Sequence, residues 1–295
     1  MNYRSISVLT LVRDRQVHLD HLVAGLRAQV RLPDELVIAY MQDEPPRVCP
    51  DVPFPVRFVQ VAGADLPLSR ARNEAARTAD GDILAFLDVD CIADDRFVKR
   101  ASEAFESDFR GVFLPEVRYL PSQAAGWLNG DCLHPDYVLL AKAGERHPAK
   151  PDLSQCGTEA IPDFGELWGL AFILTAQIWD AANGMDEAYT GYGAEETDFA
   201  RRLERAGAQL YWLGGTLCFH QHHAVHKPPL QHFDSIVRNA RLFRSRWGEW
   251  CMDYWLDDFA RRGLVSRSEN ELRVIRRPTQ TEIAATRQGP DVRFS

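Results

Sequence analysis

A run of five apolar residues, Ile83 to Leu87, constrains the fold of this 295-residue chain most strongly. Such a run is typical of a strand that is buried on both faces of a parallel sheet. Strand-like runs at 6–12, 35–40 and 56–61 and helix-like stretches at 19–26 and 68–78 come before it. Because strands and helices alternate in this way, the sequence predicts an α/β fold with a mostly parallel central sheet.

The second half of the chain is less regular. Residues 121–162 have weak periodicity and many turn formers, so we interpret them as a long connection with local structure. We expect a helix at 195–206, a strand at 209–213 and helices at 233–247 and 250–259. The residues after Gly263 are polar, and the last fifteen favour disorder.

Composition restricts the classes of protein to consider. With 45% hydrophobic and 26% charged residues, the chain can bury a sizeable core, and the net charge of −8 disfavours a nucleic-acid partner. No apolar run approaches the ~18 residues of a membrane-spanning helix, and we expect no signal peptide. The six cysteines form no C-x-x-C pair, which favours reduced thiols and a cytoplasmic location.

Two aspartates, Asp88 and Asp90, follow the buried strand directly. About six acid-x-acid pairs are expected by chance with 42 acidic residues, so the pattern alone is weak. Its position adds weight, because ligands of open α/β sheets bind beyond the carboxyl ends of strands. Carboxylate oxygens suit Mg²⁺ or Mn²⁺, which would also bridge a diphosphate. The alternative is a turn that caps a helix beginning near Asp94.

A second acidic site follows a glycine turn, where Gly191-Tyr192-Gly193-Ala194 precedes Glu195 and Glu196. Acids at the start of a helix are favoured by the helix dipole alone, which is the simpler interpretation. Against it, an aromatic residue between two glycines is a costly way to begin an ordinary helix. Such a turn can bring a carboxylate close to a small ligand.

Five of the nine histidines lie between residues 220 and 232. Imidazole suits Mn²⁺ or Zn²⁺, so one of them is a candidate metal ligand. We select His220 because it follows a strand-like segment at once, and the sequence leaves His222 and His223 open as alternatives. There is no H-E-x-x-H pattern to support a zincin-type site.

Taken together, these features resemble a family-2-type glycosyltransferase of the GT-A fold, and most closely the inverting β-1,4-galactosyltransferases. The resemblance covers about residues 5 to 225, and the order of its segments is more specific than any one of them. Four segments carry it: 12–19, 68–73, 86–90, and the stretch from Trp168-Gly169 through 191–196 to Leu203.

The resemblance implies a GT-A fold with C-terminal helices. We predict a catalytic domain at 1–225, in which 1–120 form the half that binds the nucleotide sugar and 121–225 form the half that holds the acceptor. A helical extension at 226–262 and a basic, partly disordered tail at 263–295 follow. The region 261–295 carries eight arginines against four acids. These arginines would either make weak contact with the inner face of a membrane or balance the acidic remainder of the chain.

Site roles follow from the matching positions. Val12 belongs to the segment that holds the donor, Arg13, Arg15 and Arg70 would bind its diphosphate, and Asp88 would lie near the ribose and the metal. Asp90 and His220 would hold Mn²⁺ (or Mg²⁺), Glu195 would bind donor hydroxyls, Glu196 would be the general base, and Trp168 and Tyr192 would line the sugar sites. The chain also departs from the family, with Glu196 where aspartate is common, Thr197 at an acidic acceptor position, Leu217 for a metal-contacting methionine, and Leu167 where galactose-specific members carry an aromatic residue.

The predicted activity is inverting, Mn²⁺-dependent transfer of a hexose or N-acetylhexosamine, with galactose favoured, from a UDP-sugar. The expected acceptor is a saccharide or a lipid-linked saccharide. One alternative is a sugar-phosphate nucleotidylyltransferase, although the segment from Leu11 to Arg15 lacks the glycines of a phosphate loop. The other is a catalytically inactive protein that binds a nucleotide sugar.

Overall fold

The computed structural model describes residues 4–63, 65–106, 110–123, 126–129, 134–153 and 157–294. The strands are β1 Ile6–Val12, β2 Glu35–Tyr40, β3 Val56–Gln60, β4 Ile83–Leu87, β5 Cys91–Ala93, β6 Gly111–Tyr119, β7 Glu145–Arg146, β8 Gly157–Ile161, β9 Ala171–Thr175, β10 Gln209–His220, β11 Val265–Arg267 and β12 Leu272–Val274. The helices are α1 Gln16–Arg27, α2 Leu68–Thr78, α3 Phe97–Ala104, α4 Tyr137–Ala143, α5 Ala176–Ala181, α6 Glu195–Arg205, α7 Phe233–Trp247, α8 Asp253–Arg261 and α9 Gln280–Ala285, with 3₁₀ turns at Phe164–Glu166 and Leu230–His232.

A large sheet has the strand order β3-β2-β1-β4-β9-β6-β10-β5, with β7 beside β6 and β8 beside β10. Strands β3, β2, β1 and β4 pair in parallel, as do β6 and β10. Strand β9 runs antiparallel between β4 and β6, and β5 is antiparallel to β10. The predicted α/β fold with a mostly parallel sheet is confirmed.

Strand β4 is buried on both faces, as its unbroken apolar run predicts. Ile83, Ala85 and Leu87 pack with α1 and α3 in one hydrophobic cluster. Leu84 and Phe86 pack with α2, α5 and α6 in the other. The ring of Phe86 stacks on those of Phe172 and Trp179, at centroid distances of 4.6 and 4.8 Å. The carboxyl end of β4 is therefore held between two packed layers.

Two elements differ from the sequence-based expectation. The helix expected near Asp94 begins at Phe97, and the short strand β5 comes first, because Asp94 accepts hydrogen bonds from Thr216 Oγ1 and Leu217 N of β10. Strand β10 continues past the expected end at Leu213. Its register with β6 shifts between Leu213 and Leu217, where Gly214 and Gly215 lie, and the strand then continues to His220.

The C-terminal region packs around a hydrophobic core of its own. Residues 263–294, expected to be partly disordered, contain β11, β12 and α9, so that expectation is corrected. Leu264, Val265 and Leu272 are buried against α7 and α8, although the polar composition around them hides this pattern. Near the end of the chain, Arg293 donates to the carbonyl of Ala143.

Among the described residues, no helix is both long and apolar enough to cross a membrane. The C-terminal arginine pairs proposed for membrane contact lie close to carboxylates. Arg261 and Arg262 both contact Asp258, Arg276 contacts Glu282, and Arg277 contacts Asp234.

Candidate active site

An open cleft of about 1180 Å³ lies at the edge of the sheet where β1, β4, β6 and β10 end. Because these four strands run in the same direction, their carboxyl ends share one edge. Nine residues selected from the sequence line this cleft: Arg13, Arg15, Asp88, Asp90, Trp168, Tyr192, Glu195, Glu196 and His220. Residues far apart in the chain are thus brought to one site.

Two selected residues lie outside the cleft lining. Val12 is buried in β1, and its carbonyl accepts a hydrogen bond from the amide of Met41. Arg70 lies exposed on α2. Arg72, which the sequence analysis did not select, lies in the cleft instead. The sequence did carry a signal for Arg72. It is four residues after Leu68 and three before Ala75, a spacing that places it on the buried face of the helix.

Asp90, His220 and His223 form a cluster with metal-ligand geometry. The distances are 3.5 Å from Asp90 Oδ1 to His220 Nε2 and 3.7 Å from Asp90 Oδ2 to His223 Nε2, and one ligand atom from each residue lies within 4.8 Å of the others. Asp90 Oδ1 is buried and has no hydrogen-bond partner within the described part of the chain. An unsatisfied carboxylate oxygen facing two imidazoles fits Mn²⁺, which accepts mixed oxygen and nitrogen ligands.

The structure also distinguishes among the histidines. His223 points its Nε2 at Asp90, whereas His222 is not in the cleft lining and its carbonyl faces His18. Burial lowers the pKa of His220 to about 4, so its imidazole is neutral near pH 7 and keeps a lone pair for a metal. The sequence left His223 as one of three candidate metal ligands. The direction of a histidine side chain after the end of a strand depends on the conformation of the loop, which the sequence does not specify.

Asp90 also accepts from Arg15 Nη1, at 2.5 Å from Oδ2. Burial alone would raise the pKa of Asp90, but the charges of His220 and Arg15 outweigh it and lower that pKa. One carboxylate therefore faces a guanidinium as well as two imidazoles. Arg13 also lines the cleft, so two arginines from the segment after β1 border the site.

Asp88 does not join this cluster, contrary to its predicted role as a metal ligand. Its Oδ1 lies 3.3 Å from Arg72 Nη2, and the same nitrogen lies 3.2 Å from Glu196 Oε1. Burial, with the charges of Asp90 and Glu196 adding to it, raises the pKa of Asp88 to about 8 despite Arg72. The buried guanidinium is thus the bridge between the end of β4 and the start of α6.

The glycine turn before α6 is held by the C-terminal helices. A Cβ on Gly191 would lie 2.5 Å from Ser235 Cβ, and one on Gly193 would lie 2.7 Å from Met252 Sδ. Asn239 Nδ2 donates to the carbonyl of Gly193 at 2.8 Å. With φ of 75° and 96° at the two glycines, the turn needs glycine both for its backbone and for this packing.

The two glutamates at the start of α6 have different surroundings. Glu195 is 5% exposed, and its Oε2 lacks a partner among residues that the structure describes. Burial and the neighbouring Glu196 raise the pKa of Glu195 to about 7. The Glu196 side chain is 32% exposed to the cleft. A Cβ on Gly169 would collide with Glu196 Oε1, so this glycine leaves the space that the Glu196 carboxylate occupies.

Aromatic side chains line the cleft beside these carboxylates. The Trp168 ring lies under Lys150 Nζ at 3.5 Å and makes an edge contact with His147 at 5.0 Å. The Tyr192 ring stacks on His232 at 4.7 Å. Both rings were predicted to line sugar sites, and both border the cleft.

Comparisons with known families agree with this arrangement. Residues 18–157 match the family model described as glycosyl transferase family 2, and residues 162–227 match the model described as the N-terminal domain of galactosyltransferase. Together the two matches include Asp88, Asp90, Glu195, Glu196 and His220. The chain is therefore similar to glycosyl transferase family 2 over just under half of its length, and to a galactosyltransferase domain over a further segment. Its sequence has no match among curated proteins.

Several solved structures share the fold of this chain. GalNAc-T7 with UDP, GalNAc and Mn²⁺ has 13% identity and a TM-score of 0.57, and the match covers 75% of this chain and 44% of that chain. S. aureus TarS 1–349 has 14% identity and a TM-score of 0.54, with 81% and 65% covered, and its complex with UDP-GlcNAc gives a TM-score of 0.52, with 81% and 66% covered. This chain thus spans less than two thirds of these solved chains, and at such identities the likeness shows the GT-A fold.

Proposed function

We propose that this chain is a glycosyltransferase that moves a hexose or N-acetylhexosamine from a UDP-sugar to a saccharide hydroxyl, with inversion and with Mn²⁺ (or Mg²⁺). One observation carries the proposal. A single cleft holds both the Asp90–His220–His223 cluster and the cleft-exposed Glu196 carboxylate. A site for a diphosphate and a site for proton removal are the two parts that such a transfer requires.

Asp90, His220 and His223 are the residues that would hold the metal. When bound, the ion would supply positive charge for the diphosphate, which an acidic protein otherwise lacks. The GalNAc-T7 structure of the same fold contains UDP and Mn²⁺, which supports this choice of ligand.

Arg13 and Arg15 line the cleft next to this cluster and would bind the diphosphate, because a guanidinium can donate two hydrogen bonds to phosphate oxygens. Glu195 would accept hydrogen bonds from donor hydroxyls through its unpartnered Oε2. The match to a galactosyltransferase domain supports a galactose-type donor. Leu167, which lines the cleft, stands where galactose-specific members carry an aromatic residue.

Glu196 would act as the general base. Its carboxylate takes the proton of the acceptor hydroxyl while that oxygen bonds to the anomeric carbon. The bond from the anomeric carbon to the diphosphate oxygen breaks on the opposite face, and UDP leaves with the electron pair. Arg72, 3.2 Å from Glu196 Oε1, would hold the carboxylate in place for this step.

The domain boundaries at residues 225 and 262 and a cytoplasmic location are parts of the same proposal. We also retain a lipid-linked saccharide as an acceptor and weak membrane contact through Arg261, Arg262, Arg276 and Arg277. Flotation with anionic liposomes at low and physiological salt tests that contact, and recovery only in the soluble fraction would contradict it.

A panel of UDP-sugars tests the transfer itself. UDP release should occur with at least one sugar, stop with excess chelator and return with Mn²⁺. The anomeric configuration of the product, read from its NMR coupling constant, should be opposite to that of the donor. UDP release that persists in chelator, or retained configuration, would contradict the proposal.

A further inference from the structure

Helix α8 lies beyond residue 227, where the second family match ends, and yet one of its faces borders the cleft. Tyr254, Trp255, Asp258 and Arg262 are on this face and line the cleft. Asp258 follows Tyr254 and Trp255 by four and three residues, and Arg262, just after the end of the helix, follows Asp258 by four, which places them along one side of α8. The C-terminal extension therefore contributes a wall to the site as well as support for it.

The first turn of this wall is aromatic. The Tyr254 and Trp255 rings are 4.9 Å apart, and the Trp255 ring lies 5.6 Å from that of Tyr192. Tyr254 is 66% exposed, although a tyrosine is a large side chain with much apolar surface. In a cleft lined by charged groups, the exposed Tyr254 and the partly buried Trp255 offer flat apolar faces together with hydrogen-bonding groups, which suit the C–H face and the hydroxyls of a sugar ring.

This aromatic pair and Glu196 line the same cleft. Partial burial of its hydroxyl and the charge of Glu196 raise the pKa of Tyr254 to about 12. Tyr192, which contacts Trp255, precedes Glu196 by four residues in the same turn. A ring that packed on Tyr254 and Trp255 could thus present a hydroxyl to the Glu196 carboxylate.

The position of α8 relative to Glu196 is fixed by packing. Met252, the residue before α8, packs against Gly193 so closely that no Cβ fits there. Leu256 and Phe259 of α8 are fully buried in the C-terminal core with residues of α7. Asn239 of α7 donates to the carbonyl of Gly193. Pre-organisation of this kind favours a binding surface, because little conformational entropy is lost when the ligand binds.

We propose that helix α8 forms the acceptor subsite, in which a pyranose ring of a saccharide packs on Tyr254 and Trp255 and directs a hydroxyl to Glu196. The assignment rests on the proposed function, since it takes Glu196 as the base. Asp258, one turn further along α8, also lines the cleft, where Arg261 and Arg262 contact its carboxylate.

Kinetics of single variants test this assignment. Tyr254→Ala and Trp255→Ala should each raise the acceptor KM about tenfold, which corresponds to ~1.4 kcal/mol. The donor KM should rise by less than the acceptor KM. Tyr254→Phe, which keeps the ring, should stay close to wild type. The matched control is Trp250→Ala, because Trp250 belongs to the same extension but bonds to the carbonyls of Ser268 and Glu269.

An unchanged acceptor KM in both alanine variants would overturn the assignment, and so would a donor KM that rises as much as the acceptor KM. Saccharide binding is measured separately by saturation-transfer NMR with cellobiose, lactose and diacetylchitobiose. If wild type binds one of these and Trp255→Ala does not, the subsite stands even if no UDP-sugar is consumed, in which case only the proposed transfer fails. If wild type binds none of the three, the subsite is contradicted.

Discussion

Nη2 of Arg72 lies 3.2 Å from Oε1 of Glu196, which links the strand-end site to the start of α6. The same nitrogen lies 3.3 Å from Asp88 Oδ1, and the Arg72 side chain is 3% exposed. One buried cation thus lies between two carboxyl groups, one at the end of β4 and one at the start of α6. A buried charge that loses its partner is strongly destabilising, so this link is a sensitive point of the site.

Arg72→Ala should lower the free energy of unfolding by ~3–5 kcal/mol and abolish UDP release, because Asp88 and Glu196 lose their shared cation. Urea denaturation and a UDP-release assay measure the two effects. Arg70→Ala is the control on the exposed face of the same helix and should stay within ~0.5 kcal/mol of wild type. If Arg70→Ala loses donor affinity while Arg72→Ala keeps it, Arg70 is the residue that binds the diphosphate.

Gly169→Ala should reduce turnover about a hundredfold or more, because the added Cβ would displace Glu196 Oε1 and Arg72 Nη2. The donor KM should change less than turnover. Gly289→Ala provides the control, since a Cβ there meets no atom within 4 Å among the described residues. Equal turnover in the two variants would show that the position of Glu196 does not matter.

Mn²⁺ binding should weaken about tenfold or more in Asp90→Asn, which removes the negative charge of one ligand, and in His223→Ala, which removes one of three ligand atoms. Electron paramagnetic resonance of free Mn²⁺ measures this without turnover. His222→Ala is the neighbouring control and should bind Mn²⁺ like wild type. If His222→Ala binds Mn²⁺ weakly and His223→Ala binds it normally, the ligand is His222 and the assignment of His223 is contradicted.

Glu195→Gln should stabilise the protein increasingly as pH rises. The pKa of Glu195 is about 7 in the folded protein and 4.5 in its ordinary state, so the unfolded chain ionises first and wild type loses stability between those values. The gain of the variant should be near zero below pH 4.5 and level off above about pH 7, at a value on the order of 3 kcal/mol. Thermal or urea unfolding across pH 4–8 measures this gain.

Glu204→Gln, at an exposed position of the same helix, serves as the control. A gain for Glu195→Gln that is independent of pH would mean that Glu195 keeps its ordinary ionisation.

The sequence predicts the elements with a strong local pattern. The apolar run of β4 gives both the strand and the position of Asp88 and Asp90, because burial on two faces leaves a simple pattern. The sequence does not predict the direction of individual side chains. Asp88 turns to Arg72 and away from the Asp90 cluster, and this follows from the packing of α2 on the sheet.

Distant packing explains the remaining differences. From the sequence, the glycines of the turn before α6 indicate that a ligand approaches the backbone there. In the structure, Ser235 and Met252, more than forty residues later in the chain, occupy the space beside these glycines. The tail reads as polar, but its few apolar residues pack on α7 and α8. Such contacts depend on how the helices meet, which a single sequence does not specify.

The most direct measurement compares turnover in Glu196→Gln and Glu195→Gln with the UDP-sugar that wild type uses. Glu196→Gln keeps the shape of the side chain but cannot accept a proton, so the kcat for transfer should fall by ~10²–10⁴. Its donor affinity, measured by calorimetry with Mn²⁺ present, should change little. Glu195→Gln should weaken donor binding instead. Intact transfer in Glu196→Gln, or a loss of transfer in Glu195→Gln with intact donor binding, would contradict the assignment of Glu196 as the base.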